Sequence, residues 1–245
     1  MAPAFHQLRG FVEPIRERTF FLGQGTTDRM SMKIVASLTD PGAAPAALSA
    51  GADLIELRLD LMDGDRIKAV QECRQRTGLP VIATLRSTQE GGRYPGNEDE
   101  WFRIILPVIP HADYIDVERR FSAHADTIRT HDVRIIASCH TPEMPSLFEL
   151  FGLERDLQVY GDIPKIVVTP RHIEDIIELI SFTHAAKKPV CTGVMGDGFR
   201  YARLILPLFG SEFVYCHAGM PVAEGQYSVA EVKAVMKLLG SEKRV

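Results

Sequence analysis

Several things are scarce in this 245-residue sequence, and each shortage narrows what the chain does. Basic residues are not in excess: 28 Lys and Arg stand against 32 Asp and Glu, with the two signs interspersed. Nucleic-acid readers carry a basic patch or stripe, so no nucleic-acid partner is expected. No apolar run approaches the roughly 20 residues of a membrane span, and the N-terminus lacks the apolar stretch of about 7–15 residues of a secretory signal. A cytoplasmic chain with no membrane partner is expected. The four cysteines show no Cys-x-x-Cys spacing; Cys139, Cys191 and Cys216 fall in apolar runs and Cys73 in a charged helical stretch. Neither a disulfide framework nor a metal site is expected from them. Glycine-rich phosphate loops of the Gly-x-Gly-x-x-Gly or Walker type are also missing.

What is present is a globular composition, 45% hydrophobic and 24% charged. At roughly 150 residues per domain, the length leaves one large domain or two small ones open. Past residue 32 one phrase repeats: a short β-branched apolar run closing on a polar residue, then a segment of helical period. The runs are 33–38, 53–58, 80–86, 113–118, 133–140, 164–169, 189–195 and 212–217. They recur about every 26 residues, enough for a strand, a helix and a loop. Helices are predicted over 97–109 (ended or kinked by Pro107), over 173–187, and after the capping box Ser228-x-x-Glu231 up to Gly240. Eight alternations predict an α/β fold with a parallel sheet, closed as a (β/α)8 TIM barrel over 33–245. An open doubly wound sheet is the alternative. Residues 1–32 do not share the phrase and read as a leader of unassigned role or an over-long start before Met30 or Met32.

In a β/α barrel the active site is built at the C-terminal strand ends. The residues that close the runs are unusually polar: Ser37, Glu56, Arg58, Arg86, Glu118 and His140, with Met195 before a loop. Glu56 and Arg58, two apart, share a face, either toward the barrel mouth or as an internal ion pair. Lys165 lies inside an apolar strand. It either snorkels to the rim or is a desolvated amine, the kind of nucleophile that forms an imine with a carbonyl and makes the neighbouring carbon acidic. Such chemistry needs a base, and His140 closes the preceding strand; a buried structural histidine is the plainer reading. Cys139 alternates to the other face, which disfavours a Cys139/His140 nucleophile pair. Glu90, before two glycines, is a solvated loop acid or a further member of the site.

Taken in order, Glu56-Leu-Arg58-Leu-Asp60, Arg86 through Glu90-Gly-Gly, Ser-Cys-His140, Pro-Lys165-Ile-Val-Val-Thr-Pro, Met195-Gly, Ala-Arg203-Leu, Phe209-Gly-Ser and Glu-Gly-Gln226-Tyr-Ser-Val resemble the type I 3-dehydroquinate dehydratases of the shikimate pathway. The resemblance runs from Lys33 to about Leu239. It implies a single-domain, class I aldolase-like barrel that converts 3-dehydroquinate to 3-dehydroshikimate and water, with no metal or organic cofactor. It implies that Lys165 forms the Schiff base, that His140 is general base and acid, and that Glu90 orients it. It assigns Arg203 to the substrate carboxylate, Glu56, Arg58, Arg86 and Gln226 to ring hydroxyls and pocket contacts, and Ser37 to a peripheral contact. The loop of Gln226 would close over the substrate, and relatives are commonly homodimers. Three departures stand out: Ala202 where the family has Ser, Val222-Ala-Glu224 where it has Ser-Ala-Pro, and Gly198 one place early. An aldolase acting on a sugar phosphate is the first rival, disfavoured because Arg203 and Gln226 suit a carboxylate and hydroxyls better than a phosphate cradle. A barrel that only binds a metabolite is the second.

Overall fold

A computed structural model of the chain describes residues 32–240. The expected leader therefore lies outside the described residues except for Met32, as does the barrel segment after residue 240. Eight strands carry the fold: β1 (Lys33–Leu38), β2 (Leu54–Arg58), β3 (Val81–Thr84), β4 (Tyr114–Glu118), β5 (Arg134–His140), β6 (Ile163–Val168), β7 (Cys191–Val194) and β8 (Phe213–His217). Strands β1 to β6 each pair in parallel with the next, and β1 also pairs in parallel with β8. The predicted runs hold to within a few residues, although β3 ends at Thr84, so that Arg86 stands in the loop beyond it.

The helices are α1 (Ala44–Ala50), α2 (Arg66–Thr77), α3 (Glu98–Ile105), α4 (Ala125–Arg129), α5 (Leu147–Tyr160), α6 (Ile173–Ala185), α7 (Ala202–Ile205) and α8 (Val229–Leu238). Capping boxes start α3 at Asn97, α5 at Ser146 and α8 at Ser228, satisfying first-turn N–H groups. Helix α3 stops before Pro107, four residues short of the predicted end, because Pro107 has no N–H to continue the helical hydrogen bonds, although Leu106 itself keeps helical angles.

Closure at β7 and β8 is thinner than elsewhere. One bridge joins Val190 to Ser211. The Glu212 N–H donates to the Val190 carbonyl at 2.8 Å, and the Ser211 hydroxyl accepts from Thr192 N–H at 3.0 Å. At the other even strands an aspartate does this work. Asp53, Asp113 and Asp162 each accept, through a side-chain oxygen at 2.7–2.8 Å, from an N–H of the first or second residue of the preceding strand, those of Ile34, Val81 and Ile135. At the seam a serine hydroxyl replaces the carboxylate.

The interior is layered by strand period. The floor takes one buried residue from every strand: Val35, Leu54, Ile82, Tyr114, Ile136, Ile163, Cys191 and Phe213. Two residues further along stand Ser37, Glu56, Thr84, Asp116, Ser138, Lys165, Gly193 and Tyr215. Two further again stand Arg58, Glu118, His140, Val167 and His217 on their strands, with Arg86 and Met195 just past theirs. An apolar plug thus carries a polar waist and a polar mouth, while the outward-facing strand residues pack under the helices in the larger core.

Candidate active site

Lys165 is 4% exposed on β6, where backbone pairing on both sides fixes it beside Ser138 of β5 and Cys191 of β7. The rim-snorkelling alternative is thereby removed. Its Nζ lies 3.0 Å from Asp116 Oδ2, 4.0 Å from Glu56 Oε1 and 4.0 Å from the centre of the Tyr215 ring. His140 pairs in register with Val167, one inward position above Lys165. Its Nδ1 is 2.7 Å from Glu90 Oε2, which also accepts from the His140 backbone N–H at 3.1 Å. Glu90 ends a one-turn 3-10 helix, Thr88–Glu90, closed by Gly91 in the left-handed region. A side chain on the following Gly92 would meet the Arg86 carbonyl at 2.2 Å, so these glycines serve the tight turn that returns Glu90 to the mouth.

Arg86 joins the two groups. One guanidinium nitrogen donates to Glu90 and Glu118, both at 3.1 Å, and to Ser138 at 3.0 Å, and the other donates to Asp116 at 2.8 Å. Glu118 in turn accepts from the Ser87 N–H at 2.7 Å and its hydroxyl at 2.5 Å, tying the loop after β3 to β4. Burial opposes ionisation of Asp116, but Arg86 and Lys165 outweigh it and hold that carboxyl below its ordinary range. Glu90 goes the other way. Burial raises it to about 8, against the pull of Arg86 and helped by Glu118 and Asp116. Burial, with Arg86 and Lys165 nearby, pushes the His140 imidazole well below its usual value. A neutral imidazole hydrogen-bonded through Nδ1 can keep Nε2 for proton transfer.

The remaining predicted residues gather at the same opening. Glu56 accepts from the Ser37 hydroxyl at 2.6 Å and the Thr84 hydroxyl at 2.9 Å, and Gln226 Nε2 donates to Ser37 at 3.4 Å. Arg58 instead grips Asp60 through two hydrogen bonds of 2.9 and 2.8 Å. The pairing of Glu56 with Arg58, one reading of the sequence, gives way to these separate partners. Gln226 Oε1 holds the N–H groups of Val222 and Ala223, so the loop before α8 folds over its own glutamine. Arg203, at the start of α7, donates to the Glu224 carbonyl at 3.1 Å, while its Nε is buried without a partner among the described residues. Glu56, Arg58, Arg86, Glu90, His140, Lys165, Arg203 and Gln226 all line one cavity of about 160 Å³; Ser37 stands behind Glu56. Among the described residues, no three His, Cys, Asp or Glu side chains are grouped to hold a metal ion.

Sequence reasoning passed over Asp116, Thr84, Ser138 and Tyr215. Each occupies the waist, two residues deeper than the strand-closing positions, and the alternation that put Glu56 and Arg58 on one face marks them as inward too.

The type I 3-dehydroquinase family profile matches residues 31–243. A 3-dehydroquinate dehydratase from Methanoregula boonei is 60% identical over 208 residues, 85% of this chain and all of that one. The crystal structure of 3-dehydroquinate dehydratase from Geobacillus kaustophilus superposes with a TM-score of 0.78 at 26% identity, over 86% of this chain and 92% of that one. The type I enzyme from Clostridium difficile, solved with covalent modified comenic acid, gives 0.75 at 26% identity, over 86% and 93%. With a buried amine, a histidine–carboxylate pair and a free arginine edge around one cavity, the chain belongs to the type I 3-dehydroquinase family.

Proposed function

We propose that this chain dehydrates 3-dehydroquinate to 3-dehydroshikimate, a step of aromatic amino acid biosynthesis, through an imine on Lys165. The observation that carries the reading is the sharing of one cavity by the Lys165 amine and the His140–Glu90 pair. In the neutral form the amine attacks the substrate ketone carbon. A C–N bond forms, the ketone oxygen takes up protons and leaves as water, and an iminium remains. That cation draws electrons from the adjacent carbon, whose proton passes to His140 Nε2. The electron pair left behind expels the substrate hydroxyl, which departs as water with the proton that His140 returns. Water then hydrolyses the iminium, restoring the ketone and the amine, so the net change is loss of one water.

Binding energy is spent on orientation. The unpartnered Nε edge of Arg203 suits a carboxylate, for which a planar fork of donors is adapted. Glu56, Arg58, Arg86 and Gln226 face the cavity as contacts for ring hydroxyls and pocket walls, with Ser37 supporting Glu56 and Gln226. The covalent modified comenic acid described for the Clostridium difficile relative is in keeping with a covalent mechanism. A homodimer in the cytoplasm belongs to the same reading and rests on the family resemblance. No helix among the described residues is long and apolar enough to cross a membrane.

The test is a solution assay. With 3-dehydroquinate the protein is expected to generate the ultraviolet absorbance of a conjugated enone, and Lys165→Met is expected to lose at least about a thousandfold in kcat. Undiminished turnover in that folded variant would remove Lys165 from the chemistry.

A further inference from the structure

Tyr215 is a half-buried titratable side chain that the reaction above leaves idle. It stands in the polar waist on β8 and lines the cavity. Its hydroxyl is buried without a hydrogen-bond partner among the described residues, while its ring face lies 4.0 Å from Lys165 Nζ. The two side chains belong to alternate strands, and between them β7 contributes Gly193, which has no side chain to separate them. A Cβ placed on Gly193 would meet nothing nearer than the Val167 methyls at 3.7 Å, so the space over β7 is open to both.

We propose that the Tyr215 ring is a catalytic element of this site, its π face stabilising the cationic nitrogen of Lys165 once that nitrogen is part of the substrate iminium. The proposal rests on the imine reading above. Its logic is one of hydrogen-bond supply. The free ammonium has three N–H donors, and one is directed at Asp116 at 3.0 Å. An iminium keeps a single N–H and puts carbon where the other two were, yet it still carries a full positive charge. The carboxylates still attract this charge, but only one of them can receive the remaining N–H, whereas an aromatic quadrupole attracts a cation through its face with no donor at all. In the covalent stage the ring takes a larger share of the charge that Asp116 and Glu56 hold in the free enzyme. The buried hydroxyl plays no part in this, so the ring and the hydroxyl are separable by substitution.

The experiment reads the covalent adduct on the intact protein by mass, after 3-dehydroquinate and borohydride, across substrate concentration. Tyr215→Phe is expected to trap with a half-saturating concentration within about threefold of the parent. Phenylalanines carrying one, two and five ring fluorines, incorporated at position 215, keep the shape and progressively cancel the quadrupole. They are expected to raise that concentration stepwise, by roughly tenfold to thirtyfold for the fully fluorinated ring, the range of a desolvated cation–π contact. A parent protein that traps normally while the fluorinated series stays flat would overturn the role of Tyr215 alone, as would loss of trapping in Tyr215→Phe. A parent protein that never traps would overturn the imine reading beneath it.

Discussion

At the scale of single residues, the site is ruled by an excess of buried carboxylates over cations. Glu56, Glu90, Asp116 and Glu118 surround Arg86 and Lys165, and burial lifts one of them, Glu90, to about 8, although Arg86 and His140 both lie within hydrogen-bond distance of it. His140 is pushed down in the same surroundings, so the two titrate as a unit that shares a proton at neutral pH. Loss of that proton leaves an Nδ1–H on the Glu90 carboxylate and a lone pair on Nε2. The predicted kcat/KM therefore rises with pH and levels above about 8. In Glu90→Gln the buried imidazole titrates alone. The rising limb should move to lower pH, and the plateau should fall by about tenfold to hundredfold; a pH–rate profile with an unmoved limb would contradict the assignment. Lys165 and His140 were legible in the sequence because one interrupts and the other closes an apolar run, whereas Glu90, a loop acid before two glycines, was singled out through the family resemblance. Asp116 was not, since attention to strand-closing residues stops short of the layer below them. Its importance comes from what reaches it across the barrel, Arg86 from the loop after β3 and Lys165 from β6.

At the scale of elements, the strands were readable because a parallel sheet buried on both faces requires continuous apolar runs. The short 3-10 turns and the four-residue α7 were not, because one or two turns carry too little periodicity to register. The loop from β8 to α8 shows how a local signal can be read two ways. The family resemblance makes the loop of Gln226 a segment that closes over the substrate, yet Gln226 and Arg203 both hold this loop in place here. Gly225 has φ of 72°, and a Cβ there would sit 2.5 Å from the Gly196 carbonyl oxygen, so the loop is fitted against the one after β7. Gly225→Ala should displace Gln226 from the mouth and raise KM by about tenfold with a smaller change in kcat. Unchanged steady-state kinetics would show that this contact does not set the position of Gln226.

At the scale of the molecule, eight repeats make one barrel, with an apolar floor that supports a charged waist. The seam between β7 and β8 is where the repeated aspartate is replaced by Ser211, whose hydroxyl meets Thr192 N–H and, at 3.2 Å, the Thr192 and Phe213 carbonyls. Which pair of strands forms the seam was illegible, because closure depends on register around the whole barrel. Ser211→Ala leaves the buried Thr192 N–H unpaired and should cost about 1–3 kcal/mol in denaturant unfolding, with faster amide exchange at Thr192; equal stability and exchange would mean that the seam is held elsewhere. The barrel's purpose in this account is to hold one amine out of water beneath a proton-transfer pair. The most direct measurement is therefore to incubate the wild-type protein with 3-dehydroquinate and borohydride, digest it, and weigh the peptides. The account predicts one reduced adduct, on the peptide and at the side chain of Lys165; a turning-over enzyme with no added mass there would contradict it.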